Sequence, residues 1–197
     1  MLKNSITKCY QVSVTIFQEM LIYQSILCIR NSDAQIGESN FHVYENIFSA
    51  SIGFMPPDII ASNSVSIIPN ATLYYFGVLT SNVHMSWLRT IGGRLKSDYR
   101  YTGSIVYNTF PWCNPDEKQK ALIEKTAQAI LDARKKYPDC SLADLYDETT
   151  MPPELRKAHQ ANDKAVMLAY GFDYKTMTES ECVAELMKMY QKLTSAN

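Results

Sequence analysis

The spacing of apolar and polar positions divides the chain into three stretches. Over residues 1–51, β-branched and aromatic residues mix with few helix caps, and no period dominates. Between Ile52 and Cys113, short apolar runs alternate with turn residues. Pro56-Pro57 marks a turn, Val65 to Ile68 reads as a short strand, and Pro69-Asn70 closes it. Leu79, Val83, Trp87 and Leu88 then recur near one helical face, and Gly92-Gly93 ends that helix. From Asn114 onward the period is steadily helical. Asn114 as N-cap, Pro115 at the first helical position, and Asp116 and Glu117 in the first turn predict a helix running to about Tyr137-Pro138. Ser141 with Asp144 predicts a capping box for a short helix, and Pro153 opens a third that stops at Gly171. Thr178 with Glu181 caps a fourth, whose apolar stripe is Val183, Leu186, Met187, Tyr190 and Leu193. The expected fold class is α+β: a small mixed α/β segment over residues 52–113, followed by an α-helical C-terminal domain over 114–197. Residues 1–51 stay unassigned.

Composition sharpens this picture. A chain of 197 residues with 46% apolar content can bury a real core, as one domain or as a small domain with a helical appendage. Its 19 basic and 20 acidic residues leave a net charge of −1, which excludes a protein that coats nucleic acid indiscriminately. Any such contact must be local. Residues 114–197 carry 26 of the 39 charges, as the solvated faces of amphipathic helices do, and Glu154–Lys157 and Glu185–Lys188 read as intrahelical pairs. The five cysteines, Cys9, Cys28, Cys113, Cys140 and Cys182, form no CxxC pair and have no histidine at metal spacing, so they read as reduced cytosolic thiols. The apolar stretch from Val12 to Ile29 is broken by Gln18, Glu19, Gln24 and Ser25. It is too interrupted to span a bilayer, and no cleavage pattern follows it. A cytoplasmic protein without membrane contact is expected. His42, His84 and His159 have no convergent partners in the sequence and read as packed or exposed side chains, not ligands.

One short run stands apart. Arg89, Arg94, Lys96 and Arg100 against the single Asp98 give a local charge of about +3, enough to engage phosphates by counterion release. Lys96 and Asp98 add a donor and an acceptor two positions apart. Lysine donates to guanine O6 and N7, and a carboxylate accepts from cytosine N4, so together they suit the two halves of one G·C pair. A carboxylate in a basic strip is repelled by phosphates, which favours base reading over backbone clamping. Arg94 and Arg100 are the candidate phosphate contacts, and Tyr99 and Tyr101, with Tyr107, are candidates for stacking on bases or binding phosphate. The alternation of Tyr99 and Tyr101 is also what a half-core strand shows. A surface hairpin of alternating charge is the plain alternative for the whole strip.

The run Phe76-Gly77-Val78-Leu79-Thr80-Ser81-Asn82-Val83-His84-Met85-Ser86-Trp87-Leu88-Arg89, then Gly92-Gly93-Arg94-Leu95-Lys96-Ser97-Asp98-Tyr99-Arg100-Tyr101 and Val106-Tyr107-Asn108-Thr109-Phe110-Pro111-Trp112, closely resembles the C-terminal part of the MmeI-like family. These are large bacterial DNA adenine methyltransferases, often fused to a nuclease as single-chain restriction-modification enzymes. The similarity runs from about Ile52 to the end, through Ser141-Leu142-Ala143-Asp144-Leu145-Tyr146-Asp147 and Met151-Pro152-Pro153-Glu154-Leu155-Arg156-Lys157-Ala158-His159. The resemblance implies the distal part of a DNA target-recognition domain over 52–113 and a C-terminal helical domain over 114–197. In the family, the positions of Lys96 and Asp98 vary together between Lys-x-Asp and Glu-x-Arg, as reading opposite orientations of a G·C pair requires.

The same resemblance implies double-stranded DNA as partner. For a complete enzyme of the family it implies S-adenosylmethionine and Mg as cofactors. None of these cofactors is expected in this chain, because the seven glycines include no glycine-rich turn after a strand and no catalytic motif is found; Asn108 lacks the prolines of the adenine-methyltransferase Asn-Pro-Pro-Tyr. The isolated chain is expected to be catalytically silent. Two other readings stand beside this one: a helical protein-interaction module docking on a separately encoded methyltransferase or nuclease portion, and a non-functional gene remnant.

Overall fold

The computed structural model describes residues 26–30, 52–55, 65–95, 98–147 and 149–195. Strands β1 (Ile26–Arg30), β2 (Ile52–Met55) and β3 (Val65–Pro69) form an antiparallel sheet in the order β2-β1-β3. The central strand is β1, with Cys28 opposite Gly53 on one side and Ile67 on the other. Five residues of the stretch that the sequence pattern left unassigned thus sit between the strands on either side. At the end of β3, Asn70 takes φ 55°, a left-handed conformation that asparagine tolerates, and turns the chain into the first helix.

The helix expected around Leu79 to Leu88 is two helices, α1 (Leu73–Leu79) and α2 (Asn82–Ile91). Ser81 causes the break. Its hydroxyl donates to the Val78 carbonyl at 2.6 Å and accepts from the His84 amide at 3.5 Å, so it ends one helix and caps the next. Both helices bury large side chains, among them Phe76, Leu79, Trp87 and Leu88. After α2 come the short strands β4 (Gly93–Leu95) and β5 (Asp98–Arg100), then a π-helical turn over Gly103–Tyr107 that the hydropathy pattern does not announce.

Four helices follow: α3 (Glu117–Lys135), α4 (Leu142–Leu145), α5 (Pro153–Ala169) and α6 (Glu179–Ser195). The first starts two residues later than expected, with Asp116 as its cap in place of Asn114. The Asp116 carboxylate accepts from the Gln119 amide at 2.7 Å, and the Gln119 side chain accepts from the Asp116 amide at 3.0 Å. This reciprocal box satisfies two amides. The Ser141–Asp144 and Thr178–Glu181 boxes form as expected, and Gly171 takes φ +74° just past α5. Lys188 donates to Glu185 at 2.6 Å. Glu154, however, accepts from the Tyr137 hydroxyl at 2.6 Å, tying the start of α5 to the end of α3. In α6 the buried residues are Cys182 and Leu186, whereas Leu193 is 59% exposed, so the stripe leaves the core before the helix ends.

The helices meet where α1 crosses α3 and α5. A Cβ on Gly77 would lie 2.7 Å from Ile123 Cγ2 and 3.0 Å from Asn162 Oδ1, so only glycine lets the backbones come this close. Asn162 is fully buried and satisfied: Nδ2 donates to the Gly77 carbonyl at 2.7 Å and Oδ1 accepts from Thr126 Oγ1 at 3.1 Å. A second seam joins the helices to the sheet. Arg134 of α3 donates to the Ile52 carbonyl of β2 at 2.9 Å and, through Nε and Nη2, to the Tyr146 hydroxyl at 2.9 and 2.5 Å. Its guanidinium lies over the rings of Phe76 and Tyr146, 5.3 and 5.0 Å from their centroids. Tyr146 in turn donates to His159 Nε2 at 2.6 Å. His159, with no partner visible in the sequence, is thus the end of a chain of hydrogen bonds. Burial, with the nearby Arg134 charge, pushes its imidazole down to about 3 and keeps the ring neutral, and because the Tyr146 oxygen already accepts two bonds from Arg134 its proton goes to Nε2.

Candidate nucleic-acid interface

Helix α2 carries the chain directly into the basic strip. The Gly92 amide donates to the Leu88 carbonyl at 2.8 Å, and a Cβ at 92 would sit 2.5 Å from that oxygen. Its φ of −65° is ordinary, so space and not backbone conformation demands glycine here. Strands β4 and β5 then pair antiparallel, with Gly93 opposite Arg100, Arg94 opposite Tyr99, and Leu95 opposite Asp98. Lys96 and Ser97 connect them and lie outside the described residues. The strip is a hairpin whose two connecting residues include the predicted base reader.

The hairpin stands on an aromatic floor. Tyr99 is half-buried against the core, and Tyr101 is only 4% exposed, its ring 5.8 Å from that of His84. The His84 ring meets Phe110 edge-on at 4.8 Å, and Phe110 meets Trp112 at 5.3 Å. His84 is fully buried, and burial pushes its imidazole down to about 3, so it is neutral at neutral pH. Its Nδ1 lies 3.1 Å from the Leu79 carbonyl; a carbonyl only accepts, so Nδ1 carries the proton. On the far side of Trp112, the Tyr170 hydroxyl donates to the Pro111 carbonyl at 3.0 Å, and Tyr74 lies 3.3 Å from Cys113 Sγ, pinning this segment to the helical domain. Burial raises the Cys113 thiol, which makes it an inert core sulfur.

The structure thus separates the candidate residues. Arg94, Asp98 and Arg100 fall on the two strands and Lys96 on their connection, whereas Tyr101 does not belong with them. A ring buried in the core cannot stack on a base, and the period of two along a strand explains why Tyr99 and Tyr101 share the core-directed positions. Among the described residues no group of three His, Cys, Asp or Glu side chains is placed to hold a metal, and no helix is long and apolar enough to cross a membrane. The Asn162 junction and the Arg134–Tyr146–His159 chain were missed by sequence reasoning. Each joins residues far apart in sequence, so no local spacing signals it.

Two family models match the chain: "MmeI, target recognition domain" over residues 45–114 and "MmeI, C-terminal domain" over residues 115–196. A curated relative, DNA methyltransferase A of Bacillus subtilis (strain 168), is 39% identical over 150 residues, which is 76% of this chain and 17% of the relative. Among solved structures, the Type IIL restriction-modification enzyme MmeI in complex with DNA matches with a TM-score of 0.74 and 46% identity, covering 87% of this chain and 21% of the enzyme. The chain therefore spans about a fifth or less of the length of these relatives. The hairpin and its aromatic floor lie within the first matched region and α3 to α6 within the second, so the chain belongs to the MmeI family and carries its target recognition and C-terminal domains.

Proposed function

We propose that this chain reads part of a double-stranded DNA sequence as the specificity-bearing portion of a site-specific DNA adenine methyltransferase or restriction-modification enzyme. The β4–β5 hairpin carries the reading. The observation that bears most weight is the register Arg94–Tyr99 and Leu95–Asp98. It gathers positions 94, 98 and 100 into one short hairpin, with Tyr99 and Tyr101 against the floor. In this reading Lys96 donates to guanine, Asp98 accepts from the paired cytosine, and Arg94 and Arg100 hold phosphates. Tyr99, half-buried, supports the strand and offers its edge. The match to a target recognition domain, and the likeness to an enzyme solved with DNA, support this reading.

Methyl transfer, with S-adenosylmethionine as donor, and any Mg-dependent cleavage would come from a catalytic portion outside residues 1–197, on the same polypeptide or separately encoded. The small share of each relative that this chain covers supports that division.

Duplex binding followed against salt concentration tests the reading. The full chain should bind weakly and with a steep salt dependence. Arg94→Ala and Arg100→Ala should each weaken binding about equally on all sequences and flatten the log–log salt slope by roughly one unit. An unchanged slope would remove these residues from the phosphate contacts.

A further inference from the structure

We propose that Arg89 and Asp163 are positioning residues for recognition: they pin the two ends of α2 to the helical domain and so set where the β4–β5 hairpin meets the duplex. This rests on the reading above that the hairpin reads DNA. At the start of α2, the Asp163 carboxylate of α5 accepts from the Asn82 amide at 2.8 Å and from Asn82 Nδ2 at 2.9 Å. The helix dipole favours a carboxylate there. In the last turn, Arg89 Nε donates to Glu179 of α6 at 2.5 Å. The pins thus run to two different helices from points roughly 10 Å apart along α2.

Packing alone holds α2 from one side only. His84, Trp87 and Leu88 on that side are buried in the core. On the other, Asn82, Ser86 and Arg89 follow one helical stripe and, with Met167 of α5 and Glu179 and Cys182 of α6, border a cleft of about 230 Å³. An unfilled gap supplies no contacts to resist a tilt, so the two polar pins must supply them. The hairpin begins where α2 ends, since the Gly92 amide is bonded to the Leu88 carbonyl and β4 starts at Gly93. A tilt of α2 therefore reaches the hairpin with no linker to absorb it, and base reading needs its groups held within about 0.5 Å. By sequence Arg89 belongs to the basic run, but the structure turns it away from phosphate. Its side chain is 15% exposed, and Nη1 is buried with no hydrogen-bond partner among the described residues. The Glu179 carboxylate that holds Nε would also repel a phosphate. As a bond the pair adds little to stability, because Glu179 is 48% exposed and pairs open to water are weak. What it fixes is direction.

The test is selection of bound sequences from a randomised duplex pool by the full chain at low salt, with the salt slope measured on one duplex and stability by urea titration. The unaltered chain should enrich one orientation of a G·C pair. Glu179→Gln releases the pin from its exposed end, and should lower that enrichment roughly three- to ten-fold with the salt slope and the urea midpoint unchanged. Asp163→Asn, which keeps one acceptor for Asn82, should lower it less. Arg89→Gln should match Glu179→Gln, whereas Arg89→Lys, still able to reach Glu179, should keep most of the enrichment. A salt slope flattened by about one unit in Arg89→Gln would make Arg89 a phosphate contact and overturn its role as a pin. Unchanged enrichment in Glu179→Gln and Asp163→Asn, with the unaltered chain selective, would overturn the positioning role alone. An unaltered chain that enriches no sequence would overturn the recognition reading and this proposal with it.

Discussion

The recognition segment and the helical domain use their polar residues in opposite ways. In the helical domain the buried polar groups are spent on each other: Asn162 on Gly77 and Thr126, Arg134 on Ile52 and Tyr146, and Tyr146 on His159. In the recognition segment the cations gather on strands of three residues that Tyr99 and the following Tyr101 anchor to the core. On the reading proposed above, stability and specificity are therefore separable: the helices hold the hairpin, and its charges can change without disturbing them.

The largest effects on stability should come from the helix junction. Gly77→Val forces a branched side chain where even a Cβ meets Ile123 at 2.7 Å, and should cost about 3 kcal/mol of stability in a urea titration. A loss of under about 0.5 kcal/mol would show that α1 is not locked onto α3. Next comes the seam between helices and sheet. Arg134→Met keeps the apolar stem but abandons the Ile52 carbonyl and the Tyr146 hydroxyl, and should cost about 2 kcal/mol. Arg134→Lys should recover little, because an ammonium cannot make the forked contact.

Acid should weaken the fold through its buried histidines. His84 and His159, both held down to about 3, stay neutral in the folded chain while their unfolded counterparts take up protons below about 6.5. Their stabilisation is thus complete above that pH and declines as pH falls towards 3. Asp163 works the other way. Burial pushes its carboxyl up to about 6, against the pull of the Asn82 amide, so folding gains a proton there between about pH 6 and 4. Two histidines against one aspartate leave a net loss of about 1.4 kcal/mol per pH unit in that window. His159→Gln should remove most of the slope between pH 6 and 4.5, and a slope that persists would place the titration elsewhere. The smallest effect on stability belongs to the hairpin: Arg94→Ala and Arg100→Ala should each shift it by less than about 0.5 kcal/mol. A larger loss from either would break the separation of the two regions.

Local features of the fold were legible in the sequence, and distant ones were not. The Ser141 and Thr178 boxes each lie within four residues and form as written. The start of α3 moved because Asn114 with Glu117 and Asp116 with Gln119 both have capping-box spacing, and the fold forms the second. Ser81 divides a continuous apolar face because its hydroxyl bonds the backbone, which periodicity does not register. The pairing of β1 depends on partners more than twenty residues away, and the π-helical turn has no compositional mark. At the site, Gly92-Gly93 announced the end of α2, while the burial of Tyr101 had to come from the aromatic floor. Lys96 itself lies outside the described residues, so its role rests on chemistry and register.

The most direct test of base reading is methylation mapping on a randomised site library, with residues 52–197 joined to a related catalytic portion. If Lys96 donates to guanine and Asp98 accepts from its cytosine, the Lys96→Glu, Asp98→Arg double variant should invert the preferred orientation of one G·C pair and keep the rest of the site. Each single variant should do worse than the double, losing roughly ten- to a hundred-fold in discrimination because one base edge then faces an unmatched group. Loss of activity on every sequence, with no switched position in the double variant, would contradict the account and leave the pair as a support of the hairpin.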